Sequence, residues 1–138
     1  MKFISIEKER IPYEFEIALA DGVYQFEIYY NATGDFFTIN LSKDHIRIVN
    51  GEKLVYGVPL FDNLRHLDVP TDFIIPYDIT RPEMKHSEKI TWENMNEDIF
   101  LYVVEDGDFD GEGLLDTAGG GIGRAEEIHK RGQGRPRN

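Results

Sequence analysis

The chain has 138 residues and a formal net charge of −11, and 41% of its residues are hydrophobic. This length and composition suit one folded domain with a real core rather than a disordered chain. The acidic balance argues against a body that binds nucleic acid or an anionic membrane, and the lack of cysteine excludes disulfides, thiolate nucleophiles and cysteine zinc sites.

The N-terminal part predicts a β-hairpin over residues 13–30. Apolar residues occupy every second position on both sides of Asp21-Gly22, which is the period of a half-buried strand. Asp-Gly favours the positive φ angles of a two-residue type I′ turn, and pairing outward from it sets Ile17 opposite Phe26. This register places four apolar residues of one face in the core: Phe15, Ile17, Phe26 and Ile28.

The same register pairs Glu16 with Glu27 on the other face of the hairpin. Like charges at a cross-strand pair are mildly destabilising unless they are solvated or matched by cations. We therefore expect this face to be in contact with water.

Further short strands are predicted up to residue 104. Between the predicted strands 46–48 and 54–56, we expect a five-residue loop over 49–53 that pairs Ile48 with Leu54. Residues 99–104 are apolar at both even and odd positions, which predicts a central strand covered on both faces. The other predicted strands are residues 3–6, 36–41, 46–48, 54–56, 73–75 and 90–92, with a turn over 42–44.

About eight short strands with turn signals and almost no helix predict an all-β fold, an antiparallel sandwich or barrel. The composition then changes, because nine of the 13 glycines lie in residues 105–138, a segment that is first acidic and then basic. We therefore expect an all-β domain over residues 1–104 and an extended glycine-rich C-terminal tail over 105–138.

The tail contains one pattern typical of calcium sites. Asp106, Asp108 and Asp110, followed by glycine, copy the opening of an EF-hand loop, but its twelfth position is Thr117 rather than Glu and no flanking helices are predicted. We expect a solvated acidic linker. A small β module that binds a ligand or calcium through Asp106–Asp110 is kept as the alternative function.

No other residue set identifies catalysis. The four histidines are spread along the chain without ligand spacing, and no phosphate-binding loop accompanies the Asp-Thr-Ala-Gly segment at 116–119. We therefore expect no catalytic residues, no metal and no cofactor.

The end of the tail predicts an interaction arm. Its Gly-Arg-Pro segment at 134–136 matches arginine hooks that enter the DNA minor groove, and equally a basic arm that docks on an acidic protein. Since few apolar side chains offset the entropy of ordering, we expect neighbouring subunits to hold the tail. The predicted partner-binding residues are Arg124, Lys130, Arg131, Arg135, Arg137, Leu114, Leu115 and Ile122.

Four segments of the body share their strands and spacings with a known family: residues 15–24, 37–41, 55–60 and 101–104. In this order, they resemble the opening hairpin, the next strand, the segment before a long loop and the closing strand of one family. This family is the baseplate plug proteins of contractile-tailed phages, the cyanophage type. The resemblance implies a non-enzymatic virion protein at the distal end of the tail tube of a phage or phage-like particle. Its implied partners are hub, tube-initiator and tube proteins and copies of itself, and no catalytic residues carry over.

The N-terminal residues contain no apolar signal segment, and no run is long enough to span a bilayer. We therefore expect synthesis in a cytoplasm without export. Together with the resemblance, this implies a protein made in the host bacterial cytoplasm and located in the virion.

Overall fold

A computed structural model describes residues 2–81, 89–104 and 126–136, and the side chains among these up to residue 130. They form two β-sheets that do not close into a barrel, which confirms the predicted all-β class and makes it a sandwich. The strands are β1 (Lys2–Ile4), β2 (Tyr13–Leu19), β3 (Gly22–Asn31), β4 (Phe36–Lys43), β5 (Ile46–Lys53), β6 (Phe73–Tyr77), β7 (Phe100–Val104), β8 (Glu126–Glu127) and β9 (Lys130–Pro136).

The four-stranded sheet has the order β6-β7-β1-β8, and the five-stranded sheet has the order β5-β4-β3-β2-β9. All pairs are antiparallel except β1 with β8. The inner face of the five-stranded sheet carries the apolar residues of three alternating strands, as the period of two predicts. Each of these residues is at most 1% exposed: Tyr13, Phe15, Ile17, Tyr24, Phe26, Ile28, Phe37, Ile39 and Leu41.

The hairpin of β2 and β3 forms, but its predicted register is wrong by two residues. Phe15 lies opposite Phe26, and Leu19 lies opposite Gly22. The loop is Ala20-Asp21, neither residue has a positive φ, and a type I′ turn is thereby ruled out. The four predicted core residues are nevertheless buried, because a shift of two residues leaves every side chain on its face.

The turn with positive φ at both loop residues lies between β4 and β5 instead. Asp44 and His45 have φ of 53° and 64°, and Lys43 pairs with Ile46 directly outside them. Asp and His accept this conformation more readily than most residues. The predicted turn over 42–44 is therefore displaced, because Ser42 and Lys43 belong to β4.

Strand β5 runs without interruption through Asn50-Gly51, so the predicted loop over 49–53 is wrong. Leu41 pairs with Val49 and Ile39 pairs with Glu52, which leaves an additional residue on β5 at this point. Gly51 has φ of 72°, and its N–H donates to the Asn40 side chain at 2.7 Å. Asn50-Gly51 is a β-bulge, in which glycine supplies the positive φ of the added residue.

Strand β7 is the central strand that its composition predicts, since it pairs with β6 on one side and β1 on the other. Its last four residues are buried on both faces. The predicted strand at 90–92 is wrong. Ile90 is only 3% exposed, so it packs into the core without joining either sheet.

Two segments of the C-terminal tail belong to the sheets of the sandwich. Strand β8 pairs with β1, where Lys2 lies opposite Glu126. Strand β9 pairs with β2, where Ile17 lies opposite Lys130 and Glu16 opposite Arg131. The boundary between a domain ending at 104 and a tail from 105 stays a prediction, but the tail is anchored on the domain by these strands.

Candidate functional site

The first residue of β9, Lys130, is buried and held by the chain itself. Its side chain passes over the ring of Phe15, with Nζ 4.8 Å from the ring centroid. Nζ donates to the main-chain oxygen of Ser5 at 2.7 Å. Burial lowers the pKa of Lys130. A buried cation that donates to a carbonyl fixes the position of the strand that carries it.

The residues just before Lys130 bind β1 and Ser5, which follows β1. The N–H of Ile128 donates to the Phe3 oxygen at 2.8 Å, and the Ser5 hydroxyl donates to the Glu127 carboxylate. We call residues 126–130 the C-terminal junction, because they connect the tail to both sheets of the sandwich.

The structure places only some of the eight predicted partner-binding residues. Arg131 and Arg135 lie on β9, in register with Glu16 and Glu14 of β2. Lys130 contacts Ser5 of the same chain. Partner binding by these residues stays a prediction. The others lie outside the described residues: Arg124, Arg137, Leu114, Leu115 and Ile122.

The outer face of the five-stranded sheet contains an ion pair between a buried carboxylate and an exposed guanidinium, which sequence reasoning missed. Glu27 is 2% exposed, and its carboxylate accepts hydrogen bonds from the Arg47 guanidinium and, at 3.2 Å, from the Tyr29 hydroxyl. The predicted pair of Glu16 with Glu27 is wrong, because Glu27 lies opposite Glu14. Arg47 on β5 supplies the matching cation, and only the register across three strands identifies it.

A second buried cation lies under Trp92. Lys8 is 9% exposed, its Nζ donates to the Trp92 oxygen at 2.6 Å and lies 5.5 Å from the indole centroid. The indole packs on Tyr30 and Phe37, with ring centroids 4.8 and 6.1 Å apart. Trp92 is 37% exposed, so it closes the edge of the core while part of its ring stays accessible.

An apolar cavity of about 340 Å³, which we call the lysine groove, lies between residues 36, 53–56 and 89–90. Its two charged residues are Lys53, with Nζ 4.7 Å from the Phe36 centroid, and Lys89, with Nζ donating to the Gly34 oxygen at 3.0 Å. The groove offers an apolar surface with two ammonium groups. It is lined by Phe36, Lys53, Leu54, Val55, Tyr56, Lys89 and Ile90.

In the described part of the chain, no three or more His, Asp or Glu side chains gather in a way that suits a metal ion. The calcium prediction falls on Asp106–Asp110, which lie outside the described residues, so it stays a prediction. Among the described residues, no helix has the length and apolarity to cross a membrane.

Comparison with protein families gives a match to the body of the chain. The family model described as "Cyanophage baseplate Pam3 plug gp18" matches residues 1–106, which contain strands β1 to β7. None of the curated proteins matches the sequence. The match covers well over half of the chain and confirms the predicted resemblance. The chain belongs to the cyanophage baseplate plug family.

Proposed function

We propose that the protein is a structural component of a contractile-tail baseplate. In this role it plugs the distal end of the tail tube and packs against hub and tube-initiator proteins. The family match over residues 1–106 is the observation that carries this proposal. It places a baseplate plug family on the part of the chain that forms seven of the strands, rather than on a local motif.

The proposal extends to a role without catalysis. The buried charged groups described above serve the fold: Glu27 binds Arg47, Lys8 binds the Trp92 oxygen, and Lys130 binds the Ser5 oxygen. Every buried side-chain nitrogen or oxygen in the described residues has a hydrogen-bond partner. Such groups stabilise a rigid body, which suits a component that transmits load between neighbouring proteins.

The proposal also assigns the tail, residues 105–138, to assembly. Strands β8 and β9 anchor the far end of the tail on the sandwich. The segment 105–125 therefore begins after β7 and ends before β8, and both of these strands belong to the four-stranded sheet. Its predicted docking residues, led by Arg124 and Arg137, would contact acidic surfaces of neighbouring proteins or of other copies of this chain. Synthesis in the host cytoplasm, followed by incorporation into the tail, completes the proposed role.

Incorporation into tails tests this function. Tail particles would be assembled with the epitope-tagged full chain, purified, and probed at their distal ends by immunogold labelling. We expect label at the tube end and, after lysine cross-linking and mass spectrometry, cross-links to hub or tube-initiator proteins. Absence of the tagged chain from purified tails would overturn the baseplate role.

A deletion of residues 118–138 tests the tail separately. We expect the shortened chain to remain folded, at a lower melting temperature because the C-terminal junction is lost, and to be absent from particles. Circular dichroism verifies the fold. Normal incorporation of the shortened chain would contradict the assembly role of the tail and leave the baseplate role standing.

A further inference from the structure

The lysine groove lies where the five-stranded sheet ends. Strand β5 is the terminal strand of that sheet among the described residues, and it finishes at Lys53. Leu54 still pairs with β4, since its N–H donates to the Phe37 oxygen, whereas the N–H of Gly57 donates to the Pro76 oxygen on β6. The groove is therefore a corner where the chain passes from one sheet to the other.

The apolar wall of the groove is built into the core. Leu54, Tyr56 and Ile90 are at most 3% exposed, so the wall is held in place by the packing of the sandwich. Val55, in contrast, is 39% exposed. The volume of about 340 Å³ lies at the lower end of the range for binding sites, about 300–1,000 Å³. A rigid wall of this size suits a large apolar side chain of a partner.

The charge of the groove is opposite to that of the whole chain, whose net charge is −11. Both Lys53 and Lys89 are exposed, and none of the ion pairs in the described part of the chain involves either. The pKa of the Asp35 carboxyl is lowered mainly by hydrogen bonds from Tyr30 and from the Trp92 N–H. The nearby Lys89 ammonium lowers this pKa to a smaller extent. The two ammonium groups are thus available to carboxylates from outside.

We propose that the lysine groove docks an extended acidic segment of a neighbouring baseplate protein. An aliphatic or aromatic side chain of that segment enters the cavity, and carboxylates on either side of it bind Lys53 and Lys89. This inference rests on the proposed function and names the chemistry of one partner. An extended segment fits because β5 ends at the groove and is the terminal strand of its sheet among the described residues, so an added strand can pair along it.

A peptide probe tests the chemistry of the groove. The full ¹⁵N-labelled chain is titrated with the capped peptide Gly-Asp-Leu-Asp-Gly and with Gly-Asn-Leu-Asn-Gly, and amide shifts are followed by NMR. We expect shifts at residues 53–55 and 89–90 with the Asp peptide, weakened at least severalfold by the Asn peptide or by raised salt, as exposed ion pairs require. Equal shifts with both peptides, or shifts elsewhere only, would overturn the proposal.

Matched charge variants test the groove in the particle. K53E/K89E reverses its two cations, whereas R10E/R65E changes the net charge equally at exposed residues outside the groove and outside the C-terminal junction. We expect about a tenfold or greater loss of incorporation for K53E/K89E, comparable to removing a charge partner from an interface, and near-normal incorporation for R10E/R65E. K53Q/K89Q, which adds no repulsion, should show an intermediate loss, and melting curves verify that all three fold.

The outcomes separate this inference from the proposed function. If the unmodified chain enters tails and K53E/K89E enters equally well, the groove proposal is wrong and the baseplate role stands. If the unmodified chain is absent from tails, the proposed function itself is wrong. Sedimentation of the purified chain supplies a further check, because a lysine-dependent dimer would identify a second copy as the occupant and overturn a partner of another kind.

Discussion

Strands β3 and β9 flank the same strand, β2, yet they are attached to it in different ways. Strand β3 follows β2 after a two-residue loop and places apolar residues opposite apolar residues, such as Phe26 opposite Phe15. Strand β9 comes from the far end of the chain and begins with Lys130 opposite Ile17. Both strands pair with β2 through the main chain. On the β3 side, buried aromatic side chains add to this pairing, whereas on the β9 side a single buried cation does.

This difference shows where the stability of the sandwich resides. Burial of a large apolar side chain contributes more than a net hydrogen bond, and the β2–β3 side contains many such side chains. The β9 edge is attached at the C-terminal junction, which also reaches β1 through Ser5. We therefore expect the β2–β3 hairpin to determine global unfolding and β9 to detach at lower cost.

The largest expected effect is that of Phe26→Ala on the hairpin. Phe26 is 0% exposed and packs on the rings of Phe15 and Phe61, at 5.6 and 6.4 Å between centroids. Truncating a buried aromatic side chain costs about 3–5 kcal/mol. Urea unfolding measures this loss, with Val23→Ala on the exposed side of the same strand as the control. A Phe26→Ala chain as stable as the parent would show that the inner face is wrongly assigned.

The outer face of β3 gives the next effect, through Arg47→Met. The change removes the cation that binds the buried Glu27 carboxylate, although the Tyr29 hydroxyl remains. We expect a loss of about 1.5–3 kcal/mol, as for other hydrogen bonds to charged groups. Glu27→Gln should recover part of this loss in the Arg47→Met background, because the buried side chain then carries no charge for Arg47 to match. Additive effects in this double-mutant cycle would contradict the coupling.

How much of this fold the sequence predicts depends on the range of the interactions. Faces are predictable, because the period of two that buries Phe15 and Phe26 is local. The hairpin register is not, since Ala20 N in the loop is bound by the Asp72 carboxylate at 3.0 Å from a distant part of the chain. Asn-Gly is also the residue pair typical of a tight turn. Only the pairing of β5 with β4 shows that Asn50-Gly51 is a bulge and not a turn.

The candidate sites are less predictable than the faces. Glu27 meets Arg47 only if the register across β3, β4 and β5 is known. Strand β9 lacks apolar alternation, so its sequence gives no period from which a strand could be predicted. The lysine groove combines residues near 36, 53–56 and 89–90, and no local pattern brings these segments together.

At the β9 edge, Lys130→Met should cost about 1 kcal/mol. Methionine keeps the apolar contact with Phe15 but leaves the Ser5 oxygen without its donor, and part of that loss is offset because no charge is buried. Hydrogen exchange should accelerate in β9 and stay unchanged in β3, with exposed Lys53→Met as the control. Equal acceleration in both strands would contradict a separate attachment of β9.

The pH dependence sharpens this prediction. Burial lowers the pKa of Lys130, so the folded chain releases this proton before the unfolded chain does. The contribution of Lys130 to stability therefore rises as the pH increases from the lowered value toward the ordinary 10.5. We expect the stability difference between the parent and Lys130→Met to widen over that alkaline range. A difference that shrank there would show that folding raises this pKa, and it would contradict the desolvation of the Lys130 ammonium.

An effect as small as that of Lys130→Met is expected for Tyr13→Phe, a change on β2, the strand that pairs with both β3 and β9. The Tyr13 hydroxyl accepts a hydrogen bond from Glu7 N at 3.0 Å, and losing it should cost about 1 kcal/mol near neutral pH. Burial raises the pKa of Tyr13 to about 12 from 10.0. The unfolded chain therefore ionises first, and the stability from Tyr13 is complete below pH 10 and lost as the pH rises through about 12.

Unfolding measured at pH 9 and pH 11 decides this last prediction. The difference between the parent and Tyr13→Phe should narrow at the higher pH, because only the parent releases the Tyr13 proton on unfolding. Tyr102→Phe is the matched variant in the four-stranded sheet, since burial also raises the pKa of Tyr102 to about 12 and the same direction is expected. If Tyr13→Phe showed no narrowing while Tyr102→Phe did, Tyr13 would be solvated, and β2 would not be buried between β3 and β9 as described.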